Sequence, residues 1–307
     1  MTPFFFLFFG MCLGDGGYGL VLGAFLLYAL LRYRLSGDTK NFFVLLLLGS
    51  ISTVLVGALT GSWLGDMIDV FGIFAPIKSL KDSLVLIKPM DDPITFLAIA
   101  LGLGVVQILF GILIAFWDAF RKGDMMGAFA DQGGWLALLV GFLLWGASSL
   151  GVGGGATLFS GKALAAVGAL TLVATQGRDK PGVIRKVVSG VLSLYNVTSY
   201  LGDVLSYSRL LALGLATSAI AMIGNTLTIL VSGIPYVGWV LAFLIFFGGH
   251  LFSVVVNVLG SFIHSLRLQY VEFFSKFYSA GGRAFNPLRV ATKFTRITGQ
   301  GVEGPGL

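Results

Sequence analysis

Ser199–Thr217 reads SYLGDVLSYSRLLALGLAT and sets one arginine, Arg209, inside an apolar run that continues to about Val231. A cation at bilayer depth costs several kcal/mol even on lenient insertion scales, so such a residue is a functional candidate by default. No second charge follows within the next twenty residues. On a helix Arg209 shares a face with Ala212, Leu213, Ala216 and Ile220, a narrow and mostly small-sided surface that suits close approach by another helix. Roughly 60–140° around the cylinder lies a polar stripe of Asn196, Ser199, Asp203, Ser206 and Thr217. Asp203 is the nearest acid, but its offset of six residues points it about 120° away from Arg209, which disfavours an intrahelical pair.

The rest of the chain agrees with a membrane setting. Of 307 residues, 56% are hydrophobic and only 11% charged, and the mean hydropathy is +0.93. Soluble domains carry about 25% charged residues, so the composition excludes a soluble globular protein. The 44 glycines lie within apolar runs, as closely packed membrane helices require. Cys12 is the only cysteine, which excludes an internal disulfide and a cysteine-built metal site. The net charge of +6 reports topology rather than nucleic-acid binding.

Apolar stretches run from Thr2 to Leu31, Asn41 to Gly65, Ile94 to Phe120, Trp135 to Leu150 and Ala163 to Thr175. Val187–Tyr200 is an amphipathic lead-in to the Arg209 helix, and a last hydrophobic element runs from Pro235 to about Tyr278. Roughly forty residues of helix measure about 60 Å, so that element must tilt strongly or protrude. The first stretch is interrupted by GDGGYG at 14–19 and allows one tilted helix or a hairpin of two short ones. Read as a dinucleotide loop, the motif lacks a preceding strand and a soluble unit around it.

Basic clusters sit at Arg32/Arg34/Lys40, at Arg121/Lys122, at Arg178–Lys186 and after Lys276. The loop at 66–92 instead holds three lysines against five aspartates. Placing the clusters in the cytoplasm satisfies the positive-inside rule. Charge counting then permits seven spans with an outside N-terminus, or eight with both termini inside.

A second arginine lies in HSLRLQYVEFFSKFY, 264–278. Ser253, Asn257, Gly260, His264 and Arg267 fall within about 80° on one helical face, a polar line of the kind that an aqueous path requires. The same motif supplies Gln269 and Glu272 as further polar candidates. No metal-ligand spacing, no Ser/His/Asp set and no Walker loop is present. The chain is therefore expected to bind no cofactor or metal and to carry out no covalent chemistry of its own.

SYSRLLALGLA at 206–216 and HSLRLQYVEFFSKFY at 264–278 resemble the two signature helices of the membrane a-type subunit, or subunit I, of rotary V-type and A-type ATPases. FFGMCLGDGGYG at 8–19 and GALTGSWLGD at 57–66 resemble that family too, so the likeness covers essentially the whole chain. It implies an all-α polytopic membrane protein of about eight helices, the last two long and tilted. The implied layout is one membrane domain over 1–307. It comprises a bundle at 3–178, ring-facing helices at 183–278 and a cytoplasmic tail at 279–307, with GDGGYG as a hairpin tip and both termini cytoplasmic. The membrane is implied to be a prokaryotic plasma membrane. The implied partners are a ring of small carboxylate-bearing subunits, the central and peripheral stalks, and the lipid bilayer.

The resemblance further implies a stator that moves protons or sodium ions through two half-channels, with Arg209 between them. Arg267 matches the family's second arginine, Asn257 and His264 match half-channel positions, and the stripe of Asn196, Ser199, Asp203 and Ser206 would line the other path, with Gln269 and Glu272 as further ion-translocation candidates. This sequence departs from eukaryotic relatives at Asn257, where they carry glutamate, and at Thr217, where they carry histidine. It is also expected to lack the long cytoplasmic N-terminal domain of the family. An independent secondary transporter or channel is the alternative; it would be favoured by internal inverted repeats, and none is evident.

Overall fold

The computed structural model describes residues 2–35, 37–72, 75–149, 151, 154–176, 183–278, 281 and 285. Residues 177–182, with Arg178 and Lys180 of the third basic cluster, and, apart from 281 and 285, the expected tail at 279–307 lie outside the described residues. Among the described residues the regular elements are all helices, beyond one isolated bridge between Trp63 and Asp66.

The first apolar stretch divides at its glycines. Helix α1 (Thr2–Leu13) and helix α2 (Gly16–Arg32) are separated by Gly14, at φ +60°, and by Asp15, which caps α2 by accepting a hydrogen bond from Tyr18 N. Both pack on helix α3 (Gly37–Thr60). Phe9 meets Gly49 and Gly10 meets Ser52, so α1 runs parallel to α3. Gly19 meets Val54 and Gly23 meets Ser50, so α2 runs back the other way. The hairpin reading therefore holds over the single tilted helix. A Cβ added at Gly57 would lie 2.0 Å from Gly16 N, so only glycine admits the tip to the end of α3.

Two short helices, α4 (Met67–Val70) and α5 (Ala75–Leu84), fill the loop after α3. Lys78 and Lys81 both reach Asp69 there. Burial works against the charged form of Asp69, but the hydrogen bonds and charge of Lys81 and then Lys78 outweigh it and hold the carboxyl below its ordinary value. Helix α6 (Pro93–Arg121) starts with Pro93 in its first turn and with Asp92 accepting from Thr95 N and Oγ1. A π-turn (Gly127–Gln132) leads into α7 (Gly133–Ser149), which pairs with α8 (Gly155–Thr175) through small residues such as Gly141 against Ala165.

The last third consists of α9 (Val183–Leu194), α10 (Asn196–Ser206), α11 (Ser208–Ser232) and α12 (Gly238–Arg267). After α12 the chain stays helical through a π-turn (Leu268–Phe273) and a 3₁₀ turn (Phe274–Lys276). Among the described residues the helices thus comprise six passes long and apolar enough to cross a membrane, plus the two shorter apolar helices of the hairpin. The final pass covers 39 residues.

Helix α1 lies deepest. Phe8, Met11 and Cys12 join Phe96, Ala100, Ile108 and Ile112 of α6 with Tyr207, Leu210 and Leu268 in one core cluster. Phe5, Phe9 and Leu13 join Tyr18, Leu22, Leu26, Leu46 and Ala221 in another. The hairpin is thus wedged under α11 and α12, while large apolar side chains such as Phe25, Trp117, Phe243 and Leu251 cover the outside. In lipid that distribution is the expected one, because packing rather than water exclusion holds such helices together.

Candidate functional site

The helix expected to run unbroken from the Val187–Tyr200 lead-in into the Arg209 segment is interrupted twice, at Tyr195 and at Tyr207, and the second break falls inside the polar stripe. At each tyrosine the backbone tightens into bonds of the i→i+3 type: Tyr207 N to Val204 O at 3.1 Å and Leu210 N to Tyr207 O at 3.0 Å, with the same pattern around Tyr195. The phase of Asp203 and Ser206 relative to Arg209 therefore differs from the helical-wheel expectation. Tyr207 itself is fully buried, its ring against Phe8 at 5.5 Å and against the backbone of Gly104, where a Cβ would come within 2.4 Å of the ring. Its hydroxyl donates to Gln107 Oε1 at 2.6 Å, and Gln107 Nε2 donates to Gln269 Oε1 at 2.9 Å.

Gln269 and Glu272 sit in the π-turn that follows α12, and both are buried. A π-turn inserts one extra residue into the helical ladder and often marks a functional site. Here it buries Leu268, Gln269, Glu272 and Phe273 together. Arg209 of α11 acts electrostatically on Glu272 and His264, and so does Arg267 at the end of α12; Ser206 also lies beside Glu272. The structure thus brings Arg209, Arg267, His264, Gln269, Glu272 and Ser206 to one place. Among the described residues, the buried side-chain atoms without a hydrogen-bond partner are Ser52 Oγ, Arg209 Nη1, His264 Nδ1, Ser265 Oγ, Gln269 Nε2 and Glu272 Oε2. Four of these six belong to that cluster. Unpaired buried polar groups are costly, so their concentration here calls for water or a partner.

Other candidates lie elsewhere. Asp203 is bound by Lys276, whose Nζ also stands 4.4 Å over the Tyr200 ring. Asn196 and Ser199 face outward on α10. Asn257 donates to Ser253 Oγ at 2.8 Å, about 15 Å along the helix from Arg267 and apart from the cluster. Thr217 is buried and bonds back to Leu213 O, so it adds nothing to an open polar stripe. The face of α11 beyond Arg209 leaves Ala212, Ala216 and Ile220 exposed among the described residues.

A second polar system occupies the opposite end of α11 and α12. Asp15, fully buried at the hairpin tip, accepts from Tyr18 N, Leu64 N, Gly65 N and Ser62 Oγ at 2.7–3.1 Å. Asn225 Nδ2 donates to Leu64 O and to Asp66 Oδ1. Asn225 Oδ1 faces His250 Nε2 at 3.0 Å, and the other ring nitrogen faces the Tyr18 hydroxyl at 2.9 Å. These partners place the imidazole proton on Nε2 and let Tyr18 donate to Nδ1. A polar cleft of about 190 Å³ adjoins, lined by Ser62, Asp66, Asp69, Lys81, Asp91 and Ser218 among others.

Sequence reasoning missed Gln107, Tyr207, Lys276, Asp15, Asn225 and His250. A lone glutamine in the apolar α6 and a lone histidine in FFGGHLF were the available signals. Among the described residues no group of three or more His, Cys, Asp or Glu forms a metal site.

Residues 196–290, which contain both arginine motifs, match the model of the V-type ATPase 116kDa subunit family. Across the whole length, the A-type ATP synthase subunit I of Methanocaldococcus jannaschii is 34% identical over 96% of this chain and 45% of its own. The chain belongs to this family. Among the other relatives, the A-type ATP synthase subunit I of Methanothermobacter thermautotrophicus is 36% identical over 96% of this chain and 41% of its own. The V-type ATP synthase subunit I of Borreliella burgdorferi is 27% identical over 88% and 45%. The chain spans less than half the length of these relatives. As a family member it is a multi-pass membrane protein, and its two arginine helices lie within the family-wide match.

Proposed function

We propose that the chain is the membrane stator part of a V/A-type rotary ATPase, passing protons or sodium ions against a turning ring of small carboxylate-bearing subunits. The observation that carries this reading is the Arg209–Arg267–His264–Glu272 cluster, in which Arg209 Nη1, His264 Nδ1 and Glu272 Oε2 are buried without partners and which adjoins the exposed small-sided face of α11. A permanently charged guanidinium favours the ionised form of a passing ring carboxyl. The carboxyl must then release its ion before it passes, and the same charge blocks direct leakage along the path. One path runs from the cluster toward Lys276 through Ser206, Gln269 and Glu272. The other runs along Asn257 and Ser253 toward the Asp66 cleft. Asp203 guards the first path through Lys276, with Asn196 and Ser199 at its outer margin. The central and peripheral stalks are the remaining partners.

The deciding experiment is affinity purification of the tagged complex from membranes. A ring of small subunits carrying a membrane carboxylate is expected to copurify. A well-folded protein that transports ions without any such ring would overturn the reading in favour of an independent transporter.

We propose that the basic clusters face the cytoplasm of a prokaryotic plasma membrane, which puts the α6–α7 connection there and, with α1 and α2 as a hairpin, both ends of the chain as well. A cysteine replacing Lys122 should react with an impermeant reagent from the cytoplasmic side, and one replacing Asp82 from the other. The native thiol, Cys12, is buried and should stay silent. Labelling of both engineered sites from one face would refute the orientation.

His264 is only partly buried and its Nδ1 lacks a partner, so water can take over its role. His264→Ala should therefore slow ATP-driven ion uptake only about two- to fivefold. Complete loss in an assembled complex would instead give the imidazole an obligatory part in ion transfer.

A further inference from the structure

We infer that Glu272 is the proton-holding carboxylate of the path at the Lys276 end, and that a water held between Glu272 Oε2 and the Gln269 amide delivers the proton to it. This inference rests on the stator reading above and deepens it.

Two acids near Arg209 compete for that role, Asp203 and Glu272. The structure separates them. Asp203 is engaged by Lys276, which also lies over the Tyr200 ring, so its charge is already matched. Glu272 is 2% exposed and keeps one carboxylate oxygen without any partner. It stands in the field of Arg209 from α11 and Arg267 from α12, with Ser206 of α10 beside it and Tyr207 within electrostatic reach. Both arginines act on it without closing an ion pair among the described residues.

The donor side is oriented just as narrowly. Tyr207 is a donor to Gln107 Oε1, which leaves Gln107 Nε2 to face Gln269 Oε1. That order forces the amide nitrogen of Gln269 to be the free end of the chain, and Nε2 is unpaired. A buried orphan donor and a buried orphan acceptor thus share one π-turn, three residues apart. A water that accepts from Gln269 and donates to Glu272 satisfies both, as buried waters do for polar groups that lack protein partners. Arg209 Nη1, also unpaired, extends the hydrated zone toward the exposed face of α11.

The proton balance is simple. The O–H bond of a ring carboxyl breaks as the proton passes to water, and water gives up a proton as an O–H bond forms at Glu272 Oε2. Glu272 then loses that proton to water on the Lys276 side and returns to carboxylate. No electrons are transferred, and the reverse order serves the opposite direction of rotation.

The test is ATP-driven acidification of vesicles containing the whole complex, followed with a pH-sensitive dye, with ring recovery measured on the same preparations. Proton-transfer groups typically contribute a hundredfold or more. Glu272→Gln should lower acidification by about tenfold or more with the ring still bound, and Glu272→Asp should restore a substantial part. Gln269→Leu keeps the carboxylate but removes the amide that donates to the water, and should slow acidification about three- to tenfold. Asp203→Asn should cost less than Glu272→Gln. Near-normal acidification by ring-bound Glu272→Gln would overturn the inference. If Glu272→Gln fails to assemble, near-normal acidification by Gln269→Leu overturns it instead. Transport of sodium in place of protons, measured with ²²Na, also overturns it. Arg209→Ala assayed in parallel separates the two levels. A silent Arg209→Ala beside a working Glu272→Gln removes this inference alone, whereas full activity in both removes the stator reading as well.

Discussion

Arg209→Ala and Arg209→Gln are expected to assemble with the ring and to lose ATP-driven ion transport altogether. Arg209 is partly buried, its Nη1 has no hydrogen-bond partner, and no carboxylate forms an ion pair with it among the described residues. Removing it breaks no closed ion pair among the described residues, and the buried Glu272 keeps the field of Arg267, so the cost of about 3–5 kcal/mol for truncating a buried ionic pair is not incurred in full. The packing around it is made by Tyr207, Leu210 and Gly214, which stay in place. What disappears is the fixed positive charge beside the exposed Ala212/Ala216/Ile220 face, and with it the preference for an ionised ring carboxyl. Arg209→Lys should retain little or no transport, because a desolvated ammonium loses its proton readily whereas a guanidinium does not. The measurement is ion uptake by reconstituted vesicles beside a ring pull-down. Near-normal uptake by an assembled Arg209→Ala complex would make this arginine structural and end the stator mechanism.

Asp15→Ala is expected to do the opposite, removing stability. The Asp15 carboxylate satisfies three backbone N–H groups and the Ser62 hydroxyl in a fully buried setting, where the hairpin tip meets the loop after α3. Each donor left unpaired in such a place costs about 1–3 kcal/mol, and not all can be rehydrated. A total loss of about 3–5 kcal/mol is a large share of the stability of any domain. Asp15→Asn keeps one acceptor oxygen but turns an N–H₂ toward other donors, and should fall between. Thermal aggregation in detergent should show Asp15→Ala well below the parent, while Arg209→Ala stays close to it. An unchanged transition for Asp15→Ala would mean that the tip is held by the glycine contacts alone. Because α1 is wedged under α11 and α12, loosening the tip should also weaken transport, but in proportion to the lost folded protein.

Much of this protein is legible without coordinates because lipid imposes a simple code. A membrane pass needs about twenty apolar residues with its backbone satisfied internally, so span positions follow from composition along the chain. Arg209 and Arg267 stand out for the same reason, since a cation in such a run is costly wherever the helix packs. The GDGGYG break was visible as an ambiguity, and the contacts of Gly10, Gly16 and Gly19 along α3 resolved it into a hairpin.

The partners of these residues were not legible. Helical periodicity describes one helix at a time and assumes that it is continuous. Tyr207 breaks that continuity, because its hydroxyl is drawn to Gln107, 100 residues earlier. The Gln107–Gln269 bond spans 162 positions and the Lys276–Asp203 pair 73, and no local pattern encodes either. The sequence by itself thus determined a polytopic helical membrane protein with a charged centre on its last two helices. Only the tertiary structure decided which acid near that centre is already paired and which is left free. Pairing depends on how close side chains come in space, and that distance is set by the packing of α6 against the π-turn that follows α12 and of α10 and α11 against α6.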